Sequence, residues 1–361
     1  MITYLENRPV RDWGDASDER PVMLSDQLGV DLPVFAAPMA GGATTPRLVD
    51  AAAKAGSLGF LAAGYKSPGA LDQELSVASS TALGVNLFAP NLLPVDREEF
   101  RRYAGLIAAE ADRYGIDLEG AEPIEDDDRW HEKLEVLRAH PVPVVSFTFG
   151  IPSRDDLAVL RATGALLLQT VTTIDEAKAA SDAGVDALVV QASAAGGHSG
   201  TFTPKQPPAE APINDLVAAV RRTVGLPVIA AGGLATAEEV AAVIRAGADA
   251  VAVGTVLLRS DEAGTSATHR AALKDPSRTH TVVTHAFTGR PARALPNAFT
   301  NQYSDLAPYG YPALHHLTSG LRKAAATAGD EEHLHLWAGT GFRHATDEPA
   351  ATILIRLAEK L

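Results

Sequence analysis

The chain repeats one unit along most of its length: a short apolar run, a loop carrying Gly or Pro, then an Ala-rich helical stretch. Eight runs read as strands, at 33–39, 58–63, 82–88, 142–148, 165–170, 187–191, 227–231 and 250–254. They are continuously apolar rather than alternating, as parallel strands buried on both faces must be. Between them the helix signals recur. Thr45-Pro46 opens a stretch that Gly56 closes, with proline at the first helical position, and further helical stretches end at Gly164, Gly184 and Gly247. Thr173 and Thr236 are each followed three residues later by Glu, the capping-box spacing. Eight such units predict an α/β fold, a closed (β/α)8 TIM barrel, rather than an open Rossmann-type sheet. No GxGxxG follows an early strand, which weighs against the open sheet.

Two segments break the rhythm. Residues 94–140 carry a charged helical stretch and an acidic run at 125–128, read as a decoration between strands three and four with a solvated face or helix start. Residues 257–312 contain the strand-like 279–287 and the basic GRPAR at 289–293, and read as a small cap over the barrel mouth. The division expected is a barrel from 1–256 and 313–361, with 257–312 as the cap. A last amphipathic helix is expected from Asp347 onward.

Composition narrows the chemistry. The formal charge of −14, from 31 Lys+Arg against 45 Asp+Glu, has no long basic run to offset it, so neither nucleic acid nor an anionic membrane is an expected partner. With no cysteine, disulfides, thiolate zinc sites and a cysteine nucleophile are excluded. The N-terminal residues lack the apolar stretch of a signal peptide, and no run approaches the ~20 apolar residues of a membrane span, so a cytoplasmic location is expected. Oligomeric state is left open.

Glycines mark three strand ends. Strand seven runs into AAGGLAT, with Gly232 and Gly233, and strand eight into AVAVGT, covering Ala252, Val253, Gly254 and Thr255. Glycine pairs there let backbone N–H groups approach phosphate oxygens, in the place where barrels commonly hold a phosphate. Strand six runs into QASAAGGHSG, where Gln191, Gly196 and Gly197 precede His198. It lacks the Gly-Lys-Ser/Thr ending of a P-loop. An imidazole facing the mouth is a candidate general base near neutral pH. Strand one ends in AAPMAGG, with Pro38 and Met39, and strand three carries Asn86, whose amide can donate and accept.

In chain order, AAPMAGG, GVNLFAP, VSFTFGIP, QASAAGGHSG, PVIAAGGLAT, VGT, GRPARALPN and LWAGTG follow the pattern of the nitronate monooxygenases, once called 2-nitropropane dioxygenases. The chain resembles the histidine-containing class of that family over residues 32–341. The resemblance implies FMN as cofactor, contacted by Pro38, Met39, Asn86, Gln191, Gly196, Gly233 and the Ala252–Thr255 strand end, with Gly197 and Gly232 beside them. It also implies His198 as the catalytic base. A nitronate and dioxygen are the partners it implies, and oxidative denitrification to a carbonyl compound and nitrite is the reaction. The family loop usually reads Glu-Ala-Gly-Gly-His-Arg-Gly, whereas here Ala194 replaces the acid and Ser199 the arginine. Val253 stands where methionine is common. These departures bear on the substrate rather than the cofactor.

Tyr309, Tyr311 and Lys323 lie in a stretch that the family places near the substrate. His315-His316 and His333-x-His335 lack the spacing of a metal site, so no metal is expected. The competing reading keeps fold and flavin but oxidises NAD(P)H, as in flavin-dependent enoyl-acyl carrier protein reductases and quinone reductases. An IMP dehydrogenase is set aside, since its cysteine nucleophile has no counterpart here.

Overall fold

The computed structural model describes residues 24–80, 82–206 and 209–361. Eight parallel strands close a barrel in strict chain order: Val34–Ala36, Gly59–Ala62, Leu83–Phe88, Val144–Thr148, Leu166–Val171, Ala187–Gln191, Val228–Ala231 and Ala250–Val253. Closure comes from the first and last strands, with Val34, Phe35 and Ala36 opposite Val251, Ala252 and Val253. All eight apolar runs are therefore strands, most trimmed by one to three residues at an end, with Ala187–Gln191 matched in full and Leu166–Val171 running one residue past the expected end.

The continuous apolar character has a direct cause. Side chains such as Val85, Phe147 and Val190 point outward and are buried under the helices, while Phe35, Phe60, Leu168 and Ile229 fill the barrel interior. The helix signals hold as well. Thr45 caps Pro46–Lys54 by accepting from the Leu48 amide, and Thr236 and Glu239 form the reciprocal capping box of Ala237–Arg245. Thr173 caps Ile174–Ala183, yet Glu176 does not complete the box. Its carboxylate turns toward the barrel mouth instead. The C-terminal helix Ala350–Leu357 packs beside Pro46–Lys54, outside the first strand.

A second core lies beside the barrel. Phe100, Tyr103 and Ile107 of the helix Arg97–Asp112 meet Phe287, Phe299 and Tyr303, together with Leu314, Leu317 and Leu321 of the helix Ala313–Ala328. A three-stranded antiparallel sheet forms beside the barrel: Val282–Thr284, Ala292–Ala294 and the short strand Gly197–His198. Part of the glycine loop after strand six is therefore held as an edge strand of this sheet.

Glu125, Asp126 and Asp127 of the acidic run are exposed, as expected, and Asp128 alone turns inward. Asp128 accepts from the Tyr65 amide at 3.1 Å and pairs with the buried Lys133 at 2.6 Å. Among the described residues, no helix is long and apolar enough to cross a membrane.

Candidate active site

The C-terminal ends of the barrel strands open into a cavity of about 540 Å³, within the size range of small-molecule and cofactor sites. Pro38, Met39, Asn86, Gln191, Gly196, Gly197, His198, Gly232, Gly233, Ala252, Val253, Gly254 and Thr255 all line it, and Lys323 stands at its exposed rim. Two expected residues lie elsewhere. Tyr309 stacks on His285 with ring centroids 4.3 Å apart, outside the cavity wall. Tyr311 is buried behind His198, its ring 6.1 Å from the imidazole, and does not line the cavity.

His198 is fixed from three sides. Its strand pairs with Ala292–Ala294, its carbonyl accepts from Gln191 Nε2 at 3.2 Å, and its Nε2 lies 2.9 Å from Thr288 Oγ1. The Thr288 hydroxyl can donate to the Arg290 carbonyl at 3.3 Å, which leaves its oxygen to accept from Nε2–H. In that tautomer Nδ1 carries the free lone pair. Phe149, Tyr311 and Trp337 crowd the ring. Burial pushes the imidazole pKa down to about 3, with the Arg290 and Arg322 charges adding to the shift, so His198 is neutral at pH 7.

Another part of the wall is built from backbone. Gly232 and Gly233 adopt φ of 102° and 76°, left-handed values that glycine accepts without penalty. No group among the described residues accepts from the amides of Gly232, Gly233, Gly254 or Thr255. The LWAGTG loop locks this wall: Gly339 N donates to Thr255 Oγ1 at 2.9 Å, and Thr340 N to the Ala194 carbonyl at 3.1 Å. A Cβ on Gly196 would come within 2.4 Å of Gly339 N, so close loop packing requires glycine there. Asn86 is more constrained than its residue type suggests. Its Nδ2 is committed to Ser146 and Thr148, which leaves Oδ1 for a ligand.

Glu176 braces the far side of the histidine strand. Its carboxylate accepts from Thr172 N and Oγ1, Thr201 Oγ1 and Phe202 N, at 2.6–2.8 Å. Truncation would leave these donors unpaired in a buried position. Glu176→Ala is expected to cost about 3 kcal/mol or more in urea unfolding. An unchanged unfolding midpoint would show that water replaces the carboxylate.

Several cavity residues escaped the sequence reading: Tyr65, His269, Thr288, His315, Arg322, His335 and Trp337. A helical stripe could have found some of them. Residues 315, 319, 322, 323 and 326 of the helix Ala313–Ala328 line the cavity, spaced as one face of an α-helix. The paired histidines also find roles. His315 stacks on Tyr65 at 3.7 Å, His316 pairs with Asp126, and His333 bridges Glu110 and Asp330.

Comparison with known proteins agrees with this geometry. A family model described as nitronate monooxygenase matches residues 22–359. A probable nitronate monooxygenase of Staphylococcus aureus (strain Newman) is 36% identical over 348 residues, covering 94% of this chain and 96% of its own. The solved structure of a nitroalkane oxidase from Streptomyces ansochromogenes is 43% identical with a TM-score of 0.85, covering 92% of this chain and 96% of that one. FabK from Thermotoga maritima is 25% identical with a TM-score of 0.71, over 93% and 94%.

Proposed function

The chain belongs to the nitronate monooxygenase family, and we propose that it is an FMN-dependent enzyme that converts alkyl nitronates and dioxygen to a carbonyl compound and nitrite. The single observation that carries this reading is one cavity lined both by a neutral, buried imidazole and by four backbone amides without protein acceptors.

The residues present fit FMN. The amides of Gly232, Gly233, Gly254 and Thr255 suit one phosphate, and Pro38, Met39, Asn86 and Gln191 would bound its ring system. Bound FMN would supply the one-electron chemistry linking nitronate and dioxygen. The chain supplies the rest. For a neutral nitroalkane, Nδ1 of His198 takes the carbon-bound proton and leaves a nitronate anion in the cavity. The aromatic side chains around His198 exclude water from that transfer.

The purified protein is expected to be yellow and to release FMN, not FAD, on heat denaturation, because the glycine wall is sized for one phosphate. Chromatography of the released flavin checks this, and FAD as the main species would reject it. Nitrite release and dioxygen uptake with propionate 3-nitronate or nitroethane then test the reaction. The likeness to FabK supports a second reading, NAD(P)H oxidation. Rapid anaerobic bleaching of the flavin by NADH or NADPH, without nitrite release from nitronates, would establish that one instead.

A further inference from the structure

We propose that Arg322 is the substrate-binding residue of this cavity, its one free terminal nitrogen holding an oxygen of a small planar anion such as a nitronate. The charge inventory leads there first. Arg322 and Lys323 are the charged residues that line the cavity, no carboxylate lines it, and Lys323 is exposed at the rim. Arg322 is buried, and no carboxylate among the described residues pairs with it. A buried guanidinium without a counter-ion is costly, and an anionic ligand is the natural partner for it.

Its geometry is set in advance. Nε donates to Thr318 Oγ1 at 3.1 Å, and one terminal nitrogen is taken up by His315, 3.0 Å from its carbonyl and 3.1 Å from its Nδ1. The other terminal nitrogen makes no hydrogen bond to protein and is not sealed from the cavity. Arg290, the second buried arginine near His198, differs on this point. Its guanidinium sits 3.9 Å over the Phe149 ring, its Nε and Nη1 are sealed without partners, and it does not line the cavity.

The Arg322 charge helps hold His198, His315 and His335 neutral, as an unneutralised cation would.

This inference rests on the proposed function only in taking the cavity as the substrate site. The test is therefore built on nitrate, a planar anion that does not react. Titration of the holoenzyme with nitrate, followed by calorimetry, should show binding competitive with ethyl nitronate. Arg322→Met should weaken it about 10- to 100-fold, as expected for a lost charge-assisted hydrogen bond. Arg322→Lys should retain more affinity than Arg322→Met. FMN affinity, read from fluorescence quenching, should stay within a few-fold in both variants. The idea is overturned if wild type does not bind nitrate, if nitrate binding is unchanged in Arg322→Met, or if that variant loses FMN instead. Arg322-dependent nitrate binding without nitrite release from nitronates would preserve the anion site and reject the proposed reaction.

Discussion

Gly254→Val is expected to purify without flavin while unfolding at nearly the wild-type temperature. The position tolerates a side chain as far as the protein is concerned. Its φ of −120° lies outside the left-handed region that favours glycine, and an added Cβ would meet Met39 Sδ at 3.4 Å and Ala37 Cβ at 3.7 Å. The valine methyl groups would instead occupy the cavity in front of the Gly254 and Thr255 amides. Two hydrogen bonds to a phosphate would be lost, each worth about 1.5–3 kcal/mol, so FMN should bind on the order of 10²–10⁴-fold more weakly. Fluorescence titration of the apoprotein measures this, and circular dichroism on heating checks the fold. Full flavin retention would remove the strand-eight glycine from the phosphate site. Gly233→Val is a poorer probe. Its φ of 76° strains any β-branched residue, and its Cβ would sit 3.0 Å from Ala194 Cβ. Loss of flavin there would mix a blocked site with a damaged loop.

The contrast between these glycines shows where sequence reading reached and where it stopped. The barrel was readable because doubly buried parallel strands must be continuously apolar, and eight such runs recur with helical stretches between them, four of them closed by glycine. The glycine wall was readable because residue type alone reports backbone freedom. Arg322 was not, although its neighbour Lys323 was singled out. On a helix, adjacent residues differ by about 100° in direction, so one faces the cavity while the other reaches the rim. Thr288 and Trp337 come from segments far along the chain, and only the fold brings them to His198. Glu176 carried the spacing of a capping box, but four donors around Thr172 and Thr201 outcompete the single backbone amide of Thr173. Local patterns cannot register such a competitor.

His198→Ala is expected to lose about 10²–10⁴-fold in kcat/KM on neutral nitroethane and far less on ethyl nitronate. The difference follows from the proton. Nitroethane must give up a carbon-bound hydrogen, and His198 is the neutral, aimed base that lines the cavity. Ethyl nitronate has already lost it. A pKa near 3 makes His198 a weak base in the free protein, since burial, Arg290 and Arg322 all disfavour the imidazolium. That handicap shrinks during the transfer. The proton arrives as a nitronate anion forms beside it, and an adjacent negative charge favours the protonated ring. The same anion neutralises the nearby arginine charge that had opposed protonation. The pH profile carries the sign of this argument. A base that works when unprotonated loses activity as pH falls through its pKa, so with His198 near 3 the free enzyme should show no His198 limb between pH 5 and 8. The decisive measurement is kcat/KM for both substrates, in wild type and His198→Ala, at matched flavin content. Equal losses on both would mark His198 as a residue that shapes the site, and no loss on either would end its role as the base.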